Sequence, residues 1–279
     1  ALPFTLLRKV RIDVELPQRK RRAIDGLAYG TNAKLMIGFE RRAWRTHGAN
    51  GASMSDLAYQ TSPTERFRVN VHQQRGQVGM VVRYVSPQIP SIDDLHLPSV
   101  LKQLAFLKNG LILVVGAAGS GKTTTLASML DYRNEHTAGH ILTVEDPIEY
   151  LHAHKKSLVT QREVGLDTLS YDEALRHAMR EAPNVIMIGE IRDRTSMQHA
   201  LHYAEAGHLC VSTLHANNAS QAVQRVLNFF PEEAHRQLLM DLSLNLKAVV
   251  GQRLVPGAHG GWVPAVEVML LSHYVSDLI

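Results

Sequence analysis

Leu111-Ile112-Leu113-Val114-Val115, followed at once by Gly116-Ala117-Ala118-Gly119-Ser120-Gly121-Lys122-Thr123, is the stretch on which the fold turns. Five consecutive apolar residues read as a short strand buried on both faces. The next eight satisfy the spacing G-x-x-x-x-G-K-[ST], and a helical pattern over 122–132 follows directly. Glycine at 116, 119 and 121 lets backbone N–H groups turn inward around phosphate oxygens, and the start of the helix adds partial positive charge. In that frame Lys122 reaches the terminal phosphates of a nucleoside triphosphate, and the Thr123 hydroxyl helps to hold Mg²⁺. The predicted nucleotide contacts are Gly116, Ala117, Ala118, Gly119, Ser120, Gly121, Lys122, Thr123 and Thr124.

Working outward, strands and helices alternate. Strands are predicted over 140–144, 185–188 and 209–214, and helices over 98–109, 171–181 and 196–206. Ser170, three residues before Glu173, reads as the N-cap of its helix in a capping box. Apolar strands alternating with amphipathic helices predict an α/β domain with a mostly parallel sheet covered on both faces. In such sheets ligands lie at the carboxyl ends of the strands. Two acidic sets fall there: Glu145, Asp146 and Glu149 after one strand, Glu190 and Asp193 after another. Hydrolysis needs an acidic group to orient or deprotonate water and another near the metal, whereas solvated loop carboxylates or helix caps are the alternative for the same residues. Asn184 occupies a position before its strand where an acid would serve the metal, so that role falls to Glu190. His208 and His215 flank the strand over 209–214; either could sense the terminal phosphate or tie neighbouring elements together.

Upstream, 67–72 and 79–85 read as paired strands, and the Pro-rich stretch over 87–98 as a linker. Residues 1–63 have another character: a strand over 5–16, a basic helix over 18–27, a strand over 33–40, then a Gly-containing polar stretch from 48 to 63 read as loop. Charge divides in the same place. The net +4 is the sum of +6 in residues 1–63 and −2 in residues 64–279. The basic excess belongs to one segment, and no nucleic-acid partner is expected. The single cysteine, Cys210, rules out an intrachain disulfide and fits a reducing compartment. No run of 18 apolar residues marks a transmembrane segment.

Several blocks, in order, resemble the type IV pilus retraction (twitching motility) ATPases of the PilT/PilU class, part of the wider group of secretion and pilus ATPases. They are GAAGSGKTT (116–124), TVEDPIEY (143–150), VTQREVGLDT (159–168), NVIMIGEIRD (184–193) and GHLCVSTLHANNA (207–219), with NFFPEEAHRQLLMDLSLNLKAVVGQRLVP (228–256) looking closest to the PilU branch. The resemblance implies a RecA-like P-loop domain over 98–279, with ATP and Mg²⁺ as ligands. It implies Glu149 as general base, Glu190 as the acid near the metal, and His208 and His215 as a histidine pair at the nucleotide. Arg68 and Arg83, in RFRVN and VVRY, would be arginines that approach the phosphates from an N-terminal domain, of which 64–97 is the remnant with its linker. The family works as a homohexameric ring, here with a paralogous retraction ATPase as a further partner. The ring acts on the pilus inner-membrane platform protein and is cytoplasmic, peripheral at the inner membrane. Pilus extension ATPases carry a four-cysteine zinc site just after the segment matching Gln252-Arg253-Leu254-Val255; this chain has no cysteine there, which favours the retraction type. A low-turnover accessory subunit of another pilus ATPase is the second reading. Residues 1–63 do not follow the family. They resemble a fragment of a flavin-dependent amine oxidase, through LPFTLLRKVRIDVELPQRKRRAI (2–24), YGTNAKLMIGFERRAWR (29–45) and GASMSDLAYQ (51–60), in which Lys34 would match the lysine near the flavin and Trp44 a substrate-domain residue. With no G-x-G-x-x-G unit, oxidase activity is not expected. The unlike segment is expected to weaken ring assembly.

Overall fold

β5 (Gly110–Val115) is buried at every position, and its side chains alternate between two separate cores. The computed structural model describes Gln18 and residues 35–39, 55–62, 65–74, 77–85, 88–258 and 260–279. The chain divides into two compact units, residues 1–87 and 88–279. The strand expected over 5–16 lies outside the described residues, as do Lys34, Trp44 and, apart from Gln18, the helix expected over 18–27.

Four strands are described in the first unit: β1 (Leu35–Phe39), β2 (Ser55–Ser62), β3 (Glu65–Gln74) and β4 (Gln77–Val85). They form an antiparallel sheet in the order β1-β4-β3-β2. β3 and β4 are the paired strands expected over 67–72 and 79–85. Phe67 and Tyr84 are register partners with ring centroids 5.5 Å apart, an aromatic cross-strand pair that stabilises this register. Residues 55–62, read from the sequence as loop, form β2 instead. The pairing of Leu57 with Val69 and of Tyr59 with Phe67 supplies a partner strand that polarity alone conceals.

In the second unit a seven-stranded sheet has the order β11-β10-β5-β9-β8-β6-β7. β6 (Gly139–Glu145), β7 (Ser157–Glu163), β8 (Val185–Ile188), β9 (Leu209–Leu214) and β10 (Leu246–Pro256) are parallel to β5, and only β11 (Trp262–Leu270) runs against its neighbour. One face carries Leu111, Leu113, Leu142, Ile186 and Cys210, covered by α3 (Tyr171–Ala178), α4 (Arg194–Glu205), α5 (Ala219–Leu227) and α6 (His235–Asn245). The other carries Ile112, Val114, Ile141, Met187 and Val211 against α1 (Val100–Ala105) and α2 (Lys122–His136). A last helix, α7 (His273–Leu278), packs on α6. This is the expected α/β architecture, a mostly parallel sheet with helices on both faces.

Some boundaries moved, each for a physical reason. The helix expected over 98–109 is only Val100–Ala105, because the Arg133 guanidinium from α2 donates to the carbonyls of Ala105 (2.7 Å) and Leu107 (2.8 Å) and ends it there. The helix expected over 171–181 runs to Ala178, then tightens into a 3₁₀ turn (Met179–Glu181) closed by Ala182 at φ +48°. Ser170 caps α3 as expected, accepting from the Glu173 N–H at 3.1 Å, but it forms only this half of the expected capping box; the reciprocal pair is found on α4, between Asp193 and Ser196.

Candidate functional site

The strand order decides what meets at the carboxyl edge. β9 lies between β5, which leads into the phosphate loop, and β8, which leads into Glu190 two residues beyond its end. The chain leaves β5 for the far strands, returns through β8 and β9, then crosses β5 to β10. The order therefore reverses at β5, the kind of switch point where α/β sheets bind ligands.

The loop has the turn its glycines predicted. Gly119 and Gly121 stand at φ +77° and +89°, where a side chain is strained. A Cβ at Gly116 would meet the Gln252 carbonyl oxygen and Ser120 Oγ, each at 2.4 Å. Lys122 is 8% exposed and folds back over the loop, its Nζ donating to the carbonyls of Gly116 and Ala117 at 2.9 Å each. Burial lowers its pKa below the ordinary lysine value, while the charges of Glu190 and Glu149 pull it back up. Thr123 is half-buried in the first turn of α2. Among the described residues, Ser120 Oγ is the one buried side-chain polar atom without a partner. An orphan hydroxyl in a loop turned by glycines at positive φ, with a buried lysine folded over it, is what a phosphate-binding loop would present, so the residues fit a nucleoside triphosphate.

Glu190, two residues beyond the end of β8, is held by two groups. Its Oε2 accepts from Arg192 Nε at 2.8 Å, and its Oε1 lies 3.0 Å from His215 Nε2. Arg192 also reaches Asp146 Oδ2 at 3.2 Å, which ties the ends of β6 and β8 together. Direct ligation of a metal by Glu190 would compete with these contacts, so a water-bridged role is the geometry that fits. Among the described residues no group of three or more His, Cys, Asp or Glu is arranged around a metal. Mg²⁺ on a nucleotide needs only one or two protein oxygens beside the phosphates and water; the Thr123 hydroxyl would suit a direct contact, and Glu190 one through water.

Glu149 is exposed on the loop after β6. That loop is fastened at several points: Ile148 N–H donates to Glu163 Oε2 (3.1 Å), Gln161 Nε2 donates to the Tyr150 carbonyl (2.9 Å), and the Tyr150 hydroxyl lies 3.0 Å from Thr124 Oγ1 on α2. Beneath it Glu145 is 4% exposed and accepts from Thr143 Oγ1 (2.7 Å) and Gln161 Nε2 (3.1 Å). Burial pushes its pKa up to about 7.

The two histidines separate. His215 stands beside Glu190, but His208 precedes the amino end of β9, a six-residue strand roughly 20 Å long. Its Nδ1 lies 2.8 Å from the Pro183 carbonyl. His208, expected at the nucleotide, is thus placed away from this loop as a tie between chain segments. Arg68 and Arg83 belong to the other unit, where they are register partners on β3 and β4. The sequence reading passed over Arg192, Gln161 and Gln252 as site residues, although all three lie in stretches quoted above. Their signal was position beside Glu190, Glu149 and the phosphate loop in space, and for Gln161 and Gln252 nothing local reveals it.

Two clefts flank the loop. One, of about 290 Å³, is polar and lined by Gly116, Ala117, His215, Asn217, Gln221 and Arg225 among others. The other, of about 340 Å³, opens at the first turn of α2 and includes Leu95, Leu97, Leu254, Trp262, Val263 and Pro264. A triphosphate cradle with a polar space on one side and an apolar slot on the other suits a nucleotide with its base in the slot.

Residues 79–260 match the family described as type II/IV secretion system protein, and residues 1–104 match that of flavin containing amine oxidoreductases. The chain is 54% identical over 215 residues to the type IV pilus ATPase PilU of Pseudomonas aeruginosa, covering 77% of this chain and 56% of that protein. To the type IV pilus retraction ATPase PilT of the same organism it is 42% identical over 225 residues, covering 81% and 65%. It thus spans less than two thirds of either. Among solved structures, the pilus retraction motor PilT with bound ADP superposes at a TM-score of 0.79 and 42% identity, over 86% of this chain and 69% of that one. The RecA-like α/β fold is shared with that motor. With most of its length inside the matched region, the chain belongs to the type II/IV secretion system protein family, in its type IV pilus ATPase class.

Proposed function

We propose that this chain is an ATP-hydrolysing motor subunit that drives or assists type IV pilus retraction. The observation that carries the reading is the convergence of Lys122, Glu149, Glu190 and His215 around one phosphate loop, on the ends of four different elements of one sheet. In this reading the N–H groups of residues 116–124 bind the phosphate chain. Lys122 leaves the Gly116 and Ala117 carbonyls for the terminal phosphate oxygens and neutralises charge as the bond to the leaving oxygen lengthens. Glu149, exposed and on a firmly anchored loop, orients the attacking water and takes its proton. Glu190 is kept in place by Arg192, and His215 links its carboxylate to the space beside Gly116. When bound, Mg²⁺ offsets the charge of the phosphate oxygens, with Thr123 and Glu190 the residues that would hold it. Arg68 and Arg83 would be further catalytic arginines, in a homohexamer in which a paralogous retraction ATPase and the inner-membrane platform protein are further partners. The proposed place of action is the cytoplasmic face of the inner membrane. The proposed division is 1–63, 64–97 and 98–279.

One observation favours the second reading, a nucleotide-binding accessory subunit of low turnover. Both oxygens of Glu190 are engaged, by Arg192 and His215, which leaves it a contact with the metal through water rather than a direct one. Glu149→Gln separates the two. The motor reading expects MgATP binding retained and turnover reduced about a hundredfold or more, measured by fluorescence titration beside phosphate release. A variant that releases phosphate as fast as the wild type would remove Glu149 from the mechanism.

A further inference from the structure

A phosphate loop must keep its N–H groups pointing inward, which turns some of its carbonyls outward into the protein, where each needs a donor. Here the donor comes from far along the chain. Gln252, on β10, is 6% exposed, and its Nε2 donates to the Ser120 carbonyl at 2.8 Å. Its Oε1 accepts at 2.6 Å from Thr125 Oγ1, which is itself fully buried on α2. One side-chain amide therefore bridges the tip of the loop and the first turn of the helix. Parallel pairing of β10 with β5 sets this up: Gly251 is the register partner of Val115, which brings residue 252 level with Gly116. The glycines of the loop are matched to the same residue. A Cβ at Gly121 would come within 2.8 Å of Gln252 Nε2, and one at Gly116 within 2.4 Å of the Gln252 carbonyl oxygen.

We propose that Gln252 is a positioning residue for nucleotide binding, whose amide holds the phosphate loop and the start of α2 in the arrangement that receives phosphate. The inference rests on the reading of that loop as the nucleotide site and adds to it a residue that acts through the loop it holds. The amide does both jobs at once, donating through Nε2 and accepting through Oε1. A carboxylate would oppose the Ser120 carbonyl and set negative charge beside the phosphates, and an aliphatic side chain would leave both the carbonyl and the Thr125 hydroxyl unpaired.

The test is titration of the full chain with a fluorescent, methylanthraniloyl-labelled ADP and Mg²⁺, with thermal unfolding of each protein recorded with and without the nucleotide. Gln252→Leu and the same-shaped Gln252→Glu are expected to bind about tenfold more weakly than the wild type. KM for ATP should rise more than kcat falls, and the rise in Tm that nucleotide produces should shrink in addition to any fall in the nucleotide-free Tm. Thr125→Val should share the defect, and Thr125→Ser, which keeps the donor, should bind like the wild type. If Gln252→Glu binds as tightly as the wild type, or loses nucleotide-free stability while keeping the full nucleotide-induced shift, Gln252 is only structural and the proposal fails. A wild-type chain that does not bind MgADP would instead remove the reading of the site beneath it.

Discussion

Glu145 sits under the site in surroundings that do not favour its charge. Burial raises its pKa from 4.5 to about 7, and hydrogen bonds from Thr143, Gln161 and the Glu149 backbone only partly oppose this. Because the native carboxyl keeps its proton to higher pH than the unfolded chain does, the native state binds more protons between those values. Its contribution to stability is complete below pH 4.5 and is lost as pH rises through about 7. Denaturant unfolding across that window should show wild-type stability falling with rising pH, and Glu145→Gln should flatten the fall; an identical slope in the variant would show that Glu145 is not its source. At this scale the legible and the hidden divide by distance along the chain. The loop residues and Lys122 followed from local spacing and the two acidic sets from strand ends, while Glu149 was singled out by the resemblance. Gln252 did not, because its partners Thr125 and Ser120 are 127 and 132 residues away in sequence.

Elements were readable where one periodicity and one cap governed them. β8 and β9 fall at the residues expected, since an uninterrupted apolar run in a central parallel strand has no competing face. β7 was missed because it lies at the sheet edge, where Leu158 faces solvent and Thr160, Gln161 and Arg162 break the apolar run. α1 was over-extended because Arg133, a tertiary partner, ends it. The caps are a fair test of local reasoning. Ser170→Ala removes the acceptor for the Glu173 N–H and should cost about 1 kcal/mol in denaturant unfolding, with MgADP affinity unchanged. An unaltered unfolding midpoint would mean that the exposed first turn of α3 frays in solution and the cap contributes nothing.

For the whole molecule, sequence character and backbone pairing draw different lines. Composition, charge and resemblance all change near residues 61–65, yet the β2–β3 ladder runs across that point and β1 pairs with β4, so strands from both sides share one sheet. The matched families overlap in the same way, one ending at residue 104 and the other beginning at 79. Sequence patterning detects ancestry and local propensity; ladder hydrogen bonds need only a compatible edge, which is why the change in character was visible and the shared sheet was not. The second unit, by contrast, was legible as an α/β domain with a mostly parallel sheet because its phosphate loop, strand alternation and acidic strand ends all indicated one architecture, and the resemblance implied its RecA-like type. The account as a whole stands on that domain turning over ATP in the chain as it is. Phosphate release from MgATP by the full 279-residue chain, measured beside Lys122→Ala at several protein concentrations, tests this most directly. The account predicts magnesium-dependent release by the wild type that is lost in Lys122→Ala; equal release from the two proteins would contradict it.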